Sequence, residues 1–242
     1  MSKVLGHIGF IWFATMFVGF FIVFYPLFFL FLSTPKMYFL ANGMRKIWAW
    51  FSLVFSFSIP KFSNENKEKI GPCIYVSNHS SYLDIVSVGL FAPLKYSFMA
   101  KAELAKIPLF GIFFRTVDIA VKRESIKNSH QSFLVAGEKI RNGYSIVIFP
   151  EGTIWKDAPK MKSFKNGAFK LAIENKVPIV PITFYNNFKI LPDERWEFYP
   201  SRVHFKIHRA ISTNGLNSED ADGLKDKIYS IIENELKFKA VL

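Results

Sequence analysis

The sequence predicts an α/β fold: a mixed, largely parallel sheet covered by helices, behind an N-terminal membrane-associated helical segment. Three observations carry that prediction. After residue 70, short β-rich runs alternate with stretches of helical periodicity, the pattern of strands joined by helical crossovers. From Ile8 to Leu32 there are 25 consecutive residues without Asp, Glu, Lys or Arg. Much of the excess of 28 Phe lies in the first 60 residues.

The apolar run comes first. As a helix it reaches roughly 37 Å, against a hydrocarbon core of about 30 Å. It is too long for a signal peptide and no small-residue cleavage pattern closes it. Spanning and a helical hairpin in one leaflet both satisfy the backbone, and Pro26 is a place for a bend. Met37 to Ile59 follows, mixing Arg45 and Lys46 with Trp48, Trp50, Phe51, Phe55 and Phe57. That composition predicts an interfacial helix, with rings at headgroup level and cations toward anionic lipid. Lys36, Arg45, Lys46 and Lys61 follow the apolar run and only Lys3 precedes it. This bias predicts that the chain after the apolar run lies on the cytoplasmic side of the membrane.

Lys61 to Lys69 is a polar break, so the expected division is a membrane segment over residues 1–60 and an α/β domain over 61–242. Within the latter, strands are expected at Cys73–Ser77, Lys95–Ala100, Val117–Val121, Ser145–Phe149 and Ile179–Phe184. Arg202–Ile207 alternates like an edge strand. Helices are expected at Leu83–Phe91, Leu104–Phe114 around Pro108, Ile126–Asn142 and Gly167–Asn175. A last one is expected at Asn217–Phe238, opened by Ser218-Glu219-Asp220.

Net charge is +12, which attracts anions: lipid headgroups, an acidic carrier protein, or nucleic acid. No groove-reading or base-stacking motif accompanies the charge, so no nucleic-acid partner is expected. The lone Cys73 forms no intramolecular disulfide and begins an apolar strand, where an inert thiol is expected. The histidines show no metal-ligand spacing, so no metal site is expected. The pair His204 and His208 lies in the alternating strand and is expected to face solvent.

Two segments carry chemistry. His79 and Asp84 follow the first strand of the α/β domain, five residues apart. On one regular helix they would point about 140° apart. With His79 in the turn and Asp84 in the first helical turn, the carboxylate reaches back to one ring nitrogen and leaves the other to accept a proton. Ser81-x-x-Asp84 also reads as a helix cap, with Asn78 in the turn. The second segment, Phe149-Pro150-Glu151-Gly152-Thr153, ends another buried strand. There Glu151 is placed to accept from a polyol or orient a cation, and Gly152 to let a ligand approach the main chain.

In this order, the N-H-x-x-x-x-D and F-P-E-G-T segments resemble the glycerolipid acyltransferase family, whose best-known bacterial members are 1-acyl-glycerol-3-phosphate acyltransferases. Gly111 to Arg123, Phe164 to Phe169 and Val177 to Ile182 resemble its other motifs. The resemblance implies acyl transfer from acyl carrier protein or coenzyme A, used as substrate and not as a resident cofactor, to a lysophospholipid in the membrane. It implies His79 and Asp84 as the catalytic pair. Asn78, Lys101, Arg123, Glu151, Gly152 and Thr153 would then contact substrate. One departure stands out: Ile154 and Trp155 occupy the positions where the family continues E-G-T-R-S. The acceptor's headgroup is therefore open, with Lys156, Lys160 and Lys162 as alternative cations. No G-x-S-x-G elbow is present, so direct transfer without an acyl-enzyme is expected.

Overall fold

The computed structural model describes residues 2–122 and 126–241. The chain opens with a helical pair, α1 (Lys3–Leu32) and α2 (Tyr38–Phe55). Next come β1 (Pro60–Asn64), β2 (Ile74–Ser77), α3 (Leu83–Phe91), β3 (Tyr96–Lys101), β4 (Ile119–Val121) and α4 (Ile126–Arg141). They are followed by β5 (Ser145–Ile148), α5 (Gly167–Glu174), β6 (Ile179–Phe184), α6 (Asn187–Ile190), β7 (Val203–Ile207) and α7 (Ala221–Val241).

The strands form one sheet of order β1-β7-β6-β2-β5-β3-β4. Among the described strands β6 and β7 pair antiparallel, and the other neighbours are parallel. Strands β2, β5 and β6 are buried at every position, as strands covered by helices on both faces must be. One face is covered by α2 and α3 with Phe13 of α1, and the other by α4, α5 and α7.

Four expectations are corrected. The helix expected over Leu104–Phe114 is replaced by 3-10 turns at Ala102–Lys106 and Phe110–Ile112. Pro108 cannot continue an α-helix, and Leu109 lies at φ +62°. Polar Lys61 to Lys69 is not simply a break, because β1 forms there and pairs with β7. As a result β7 is interior to the sheet. Its alternation arises because Lys206 meets Glu65 and Glu235 at 3.0 and 2.9 Å and not open solvent. Beside it, His204 is half-buried against Tyr185, and His208 is buried with Nε2 2.8 Å from Thr183 Oγ1. Both histidines were expected to face solvent.

The fourth correction concerns the helical pair. Helix α1 runs through Pro26 unbroken, and the turn comes instead at 33–37, where Pro35 opens a 3-10 turn. Arg45 does not face lipid. It is buried, and its guanidinium grips Asp118, with Nη1 to Oδ1 at 3.1 Å and Nη2 to Oδ2 at 2.6 Å. The guanidinium also lies over the Phe113 ring, 4.0 Å from its centroid. A planar fork suits a buried bidentate pair better than an ammonium would. Trp48 is buried too, donating Nε1–H to the Phe17 carbonyl at 2.8 Å. By contrast Trp50, Phe51, Phe55 and Phe57 are exposed, as the interfacial reading requires.

Candidate active site

Parallel pairing of β2 with β5 puts Val76 opposite Ile148. Three residues beyond each partner come His79 and Glu151, so the two motifs emerge side by side at the carboxyl edge of the sheet, where α/β folds bind ligands.

Within the first turn, His79 Nδ1 lies 3.0 Å from Asp84 Oδ2. The same oxygen accepts from the Ser80 and Ser81 amides at 2.8 and 3.0 Å. Asp84 therefore caps the start of α3 and holds the imidazole at once. The Ser81 hydroxyl accepts from Leu83 N at 3.0 Å and donates to the Leu191 carbonyl at 2.7 Å, closing the turn against the segment after α6. The imidazole stacks on Phe149, centroids 4.0 Å apart. Its Nε2 has no hydrogen-bond partner among the described residues. A ring held through Nδ1 with Nε2 unbonded is set up to take a proton from an approaching hydroxyl.

Glu151 is buried, and both its oxygens are engaged by main chain. Oε1 accepts from His79 N at 2.9 Å and Oε2 from Lys162 N at 3.0 Å. Burial pushes its pKa up to about 7, although the two amides pull the other way. Trp155 N donates to the His79 carbonyl at 2.9 Å, so the His79 main chain both donates to and accepts from the second turn. Asn78 is likewise occupied: Nδ2 donates to the Phe184 carbonyl and Oδ1 accepts from Phe184 N, both at 2.9 Å. Asn78 and Glu151, expected to contact substrate, have their polar atoms bonded to main chain, of Phe184 for Asn78 and of His79 and Lys162 for Glu151.

The remaining residues lie farther out. Gly152 sits at φ +76°, a conformation glycine adopts without strain, and Thr153 is exposed beside it. Lys101 ends β3 at the same edge but two strands from β2, about 10 Å away. Its exposed Nζ meets Glu103 at 3.3 Å. Arg123, two residues past β4, lies outside the described residues. Among the alternative cations, Lys156 pairs with Glu194 at 2.6 Å. Lys162 is half-buried, with Nζ 5.2 Å from the Trp155 ring centroid. Cys73 is buried away from this edge at the start of β2, and burial raises its thiol pKa.

Asn187 is the residue that sequence reasoning missed. Fully buried, it donates Nδ2 to Asp84 Oδ1 at 2.8 Å and to Ser87 Oγ at 3.1 Å. The available signal was an Asn-Asn pair closing a strand with no exposed position.

The fold that carries this site is also that of a solved acyltransferase. The crystal structure of the 1-acyl-sn-glycerophosphate acyltransferase from Thermotoga maritima superposes with a TM-score of 0.82 at 26% identity, covering 100% of this chain and 99% of that one. The Acyltransferase family model matches residues 59–185, and the chain belongs to that family. Among curated relatives, a chloroplastic 1-acyl-sn-glycerol-3-phosphate acyltransferase of Brassica napus is 37% identical over 122 residues, 50% of this chain and 35% of that protein. The enzyme of that name from Haemophilus influenzae is 26% identical over 198 residues, 81% of this chain and 80% of that one. The chain spans about half the length of several of the curated relatives it matches.

Proposed function

We propose that this protein transfers a fatty acyl group from an acyl thioester, on acyl carrier protein or coenzyme A, to the sn-2 hydroxyl of 1-acyl-glycerol-3-phosphate, giving phosphatidic acid for phospholipid synthesis. The observation that carries the reading is the His79–Asp84 pair at 3.0 Å with Nε2 unbonded at the carboxyl edge of the sheet. His79 Nε2 takes the proton of the acceptor hydroxyl as its oxygen attacks the thioester carbonyl. Asp84 stabilises the imidazolium that forms. Collapse of the tetrahedral intermediate breaks the carbon–sulfur bond, and the leaving thiolate takes the proton back from His79. Cys73, buried at the far end of β2, offers no competing nucleophile.

For the acceptor's phosphate, Lys162 is the best-placed substitute for the missing arginine, since its amide shares the Glu151 carboxylate with that of His79. Lys101 and Arg123 are the further cations in this reading, while Gly152 and Thr153 border the glycerol. Ile154 supports a second reading, in which the acceptor is a lyso-lipid or N-acyl amino acid with another headgroup. Labelled acyl donor assayed against a panel of acceptors separates the two. Fastest turnover with 1-acyl-glycerol-3-phosphate is expected, and faster turnover of an acceptor with another headgroup would overturn the assignment. His79→Ala should lose all but about a tenth or less of activity while still binding membranes.

Attachment is proposed on the cytoplasmic face of the inner membrane. Helix α1 is long and apolar enough to cross a bilayer by length and composition. Its packing favours lying in one leaflet, because it touches protein along its whole length. Gly6 meets Tyr199, Phe13 stacks on Phe198 at 4.5 Å, and Phe21 and Phe28 pack against Phe113.

A further inference from the structure

Asp84 makes four contacts with donors, and three of them come from its own turn: His79 Nδ1, Ser80 N and Ser81 N, all on Oδ2. Its other oxygen would be bare without Asn187, whose Nδ2 lies 2.8 Å away. Asn187 comes from the far side of the site, at the start of α6, more than a hundred residues along the chain. Its amide is not there to satisfy itself. Oδ1 of Asn187 is buried with no partner, as is the neighbouring Ser80 hydroxyl. An amide that merely filled space would turn to bond both its atoms. This one keeps its donor on the carboxylate and leaves an acceptor unsatisfied, which is unfavourable unless the donor contact outweighs it.

Nearby asparagines show the contrast. Asn186 bonds both atoms to main chain at the start of β7, donating to the Arg202 carbonyl just before it at 2.8 Å and accepting from His204 N at 3.0 Å. Asn78 bonds both atoms to Phe184. Those two are clamps, and Asn187 is aimed.

We infer that Asn187 is a positioning residue of the histidine–carboxylate pair: its amide fixes the Asp84 carboxylate from the side opposite His79, so that Oδ2 stays aligned on Nδ1. This rests on the His79 base reading and adds to it a third member contributed by the start of α6. Coupling α6 to the pair also ties the geometry of the proposed base to the docking of α6 and the segment after it.

The test compares Asn187→Ala and Asn187→Asp with Asn186→Ala in the full-length protein in detergent micelles, measuring kcat, KM, their pH profiles and the melting temperature. Asn187→Asp keeps the shape but sets a second carboxylate against Asp84. Glu151, joined to His79 through its main-chain amide, is the other titratable group at this turn and is unaltered in all three variants. Asn187→Ala should lower kcat roughly tenfold with KM little changed. Asn187→Asp should lower it further and move the acid limb of the kcat/KM profile to higher pH by about one unit, since added negative charge favours the imidazolium. Asn186→Ala should leave kcat and the pH profile as they are. Wild-type kcat and pH profile in both Asn187 variants would overturn the inference. So would failure of both to fold, because Asn187 would then be a structural amide like its neighbours. His79→Ala run alongside keeps the two readings apart: if it is inactive while the Asn187 variants are normal, only this inference fails.

Discussion

Replacing Glu151 with Gln tests how the two motif turns are joined. The carboxylate accepts one hydrogen bond on each oxygen, from the amides of His79 and Lys162. Gln presents one oxygen and one NH2, so one amide loses its acceptor and faces a donor, at a cost of about 1–3 kcal/mol. Set against this is the burial of charge, which raises the Glu151 pKa from 4.5 to about 7. Between those values the folded protein holds a proton that the unfolded chain has released. Stability from this group is therefore complete below pH 4.5, falls as pH rises, and is lost above about 7. The interval corresponds to roughly 3 kcal/mol. Other titrating groups are common to both proteins, so the difference between wild type and Glu151→Gln isolates this one. In a chain of this size about 3 kcal/mol is roughly 6–12 °C in melting temperature. Between pH 4.5 and 7.5, wild type should lose that much relative to the variant, measured by thermal unfolding in detergent. Parallel melting curves across the range would refute the argument. Activity should move independently, with a lower kcat for the variant at every pH because the His79 turn has lost a strut.

Three further outcomes follow from the geometry. Asp84→Asn removes the charge and leaves one acceptor oxygen where the carboxylate serves donors on both, from His79 and two turn amides on one side and Asn187 on the other; it should reduce kcat/KM about 10²- to 10⁴-fold in steady-state assays. Asp118→Ala leaves the Arg45 charge buried without its partner and should destabilise the fold by about 3–5 kcal/mol, with Arg45→Leu/Asp118→Leu recovering most of the loss; denaturant titration distinguishes the two. Exchanging Trp50, Phe55 and Phe57 for serine should weaken sedimentation with anionic vesicles while acyl transfer to a detergent-dispersed acceptor persists, because these rings are exposed and remote from His79 in the sequence.

Most of the strand and helix pattern was legible because parallel strands covered on both faces read as unbroken apolar runs. Ile74 to Ser77, Ser145 to Ile148 and Ile179 to Phe184 are the clear cases. β1 was not legible, since its exposed polar residues form a strand only because β7 offers a parallel edge to pair with. The segment around Pro108 misled because apolar spacing says nothing about a residue at positive φ such as Leu109.

At the site, sequence alone determined the His79 and Asp84 pair, the Glu151-Gly152-Thr153 turn and their order along the chain. A five-residue spacing after a strand has few ways to close, and the reach of Asp84 back to the turn is local chemistry. The same locality could not separate a helix cap from a catalytic pair, and the structure shows one carboxylate serving both contacts. Tertiary structure alone decided what comes from a distance. Strand register set Glu151 beneath His79, where its carboxylate accepts from the His79 amide. The start of α6 brought Asn187 to Asp84. The fold also drew Arg45 away from lipid into a buried pair with Asp118. In each case the partner is remote in sequence, and a side chain's role follows from which atoms are left unbonded once the sheet has assembled.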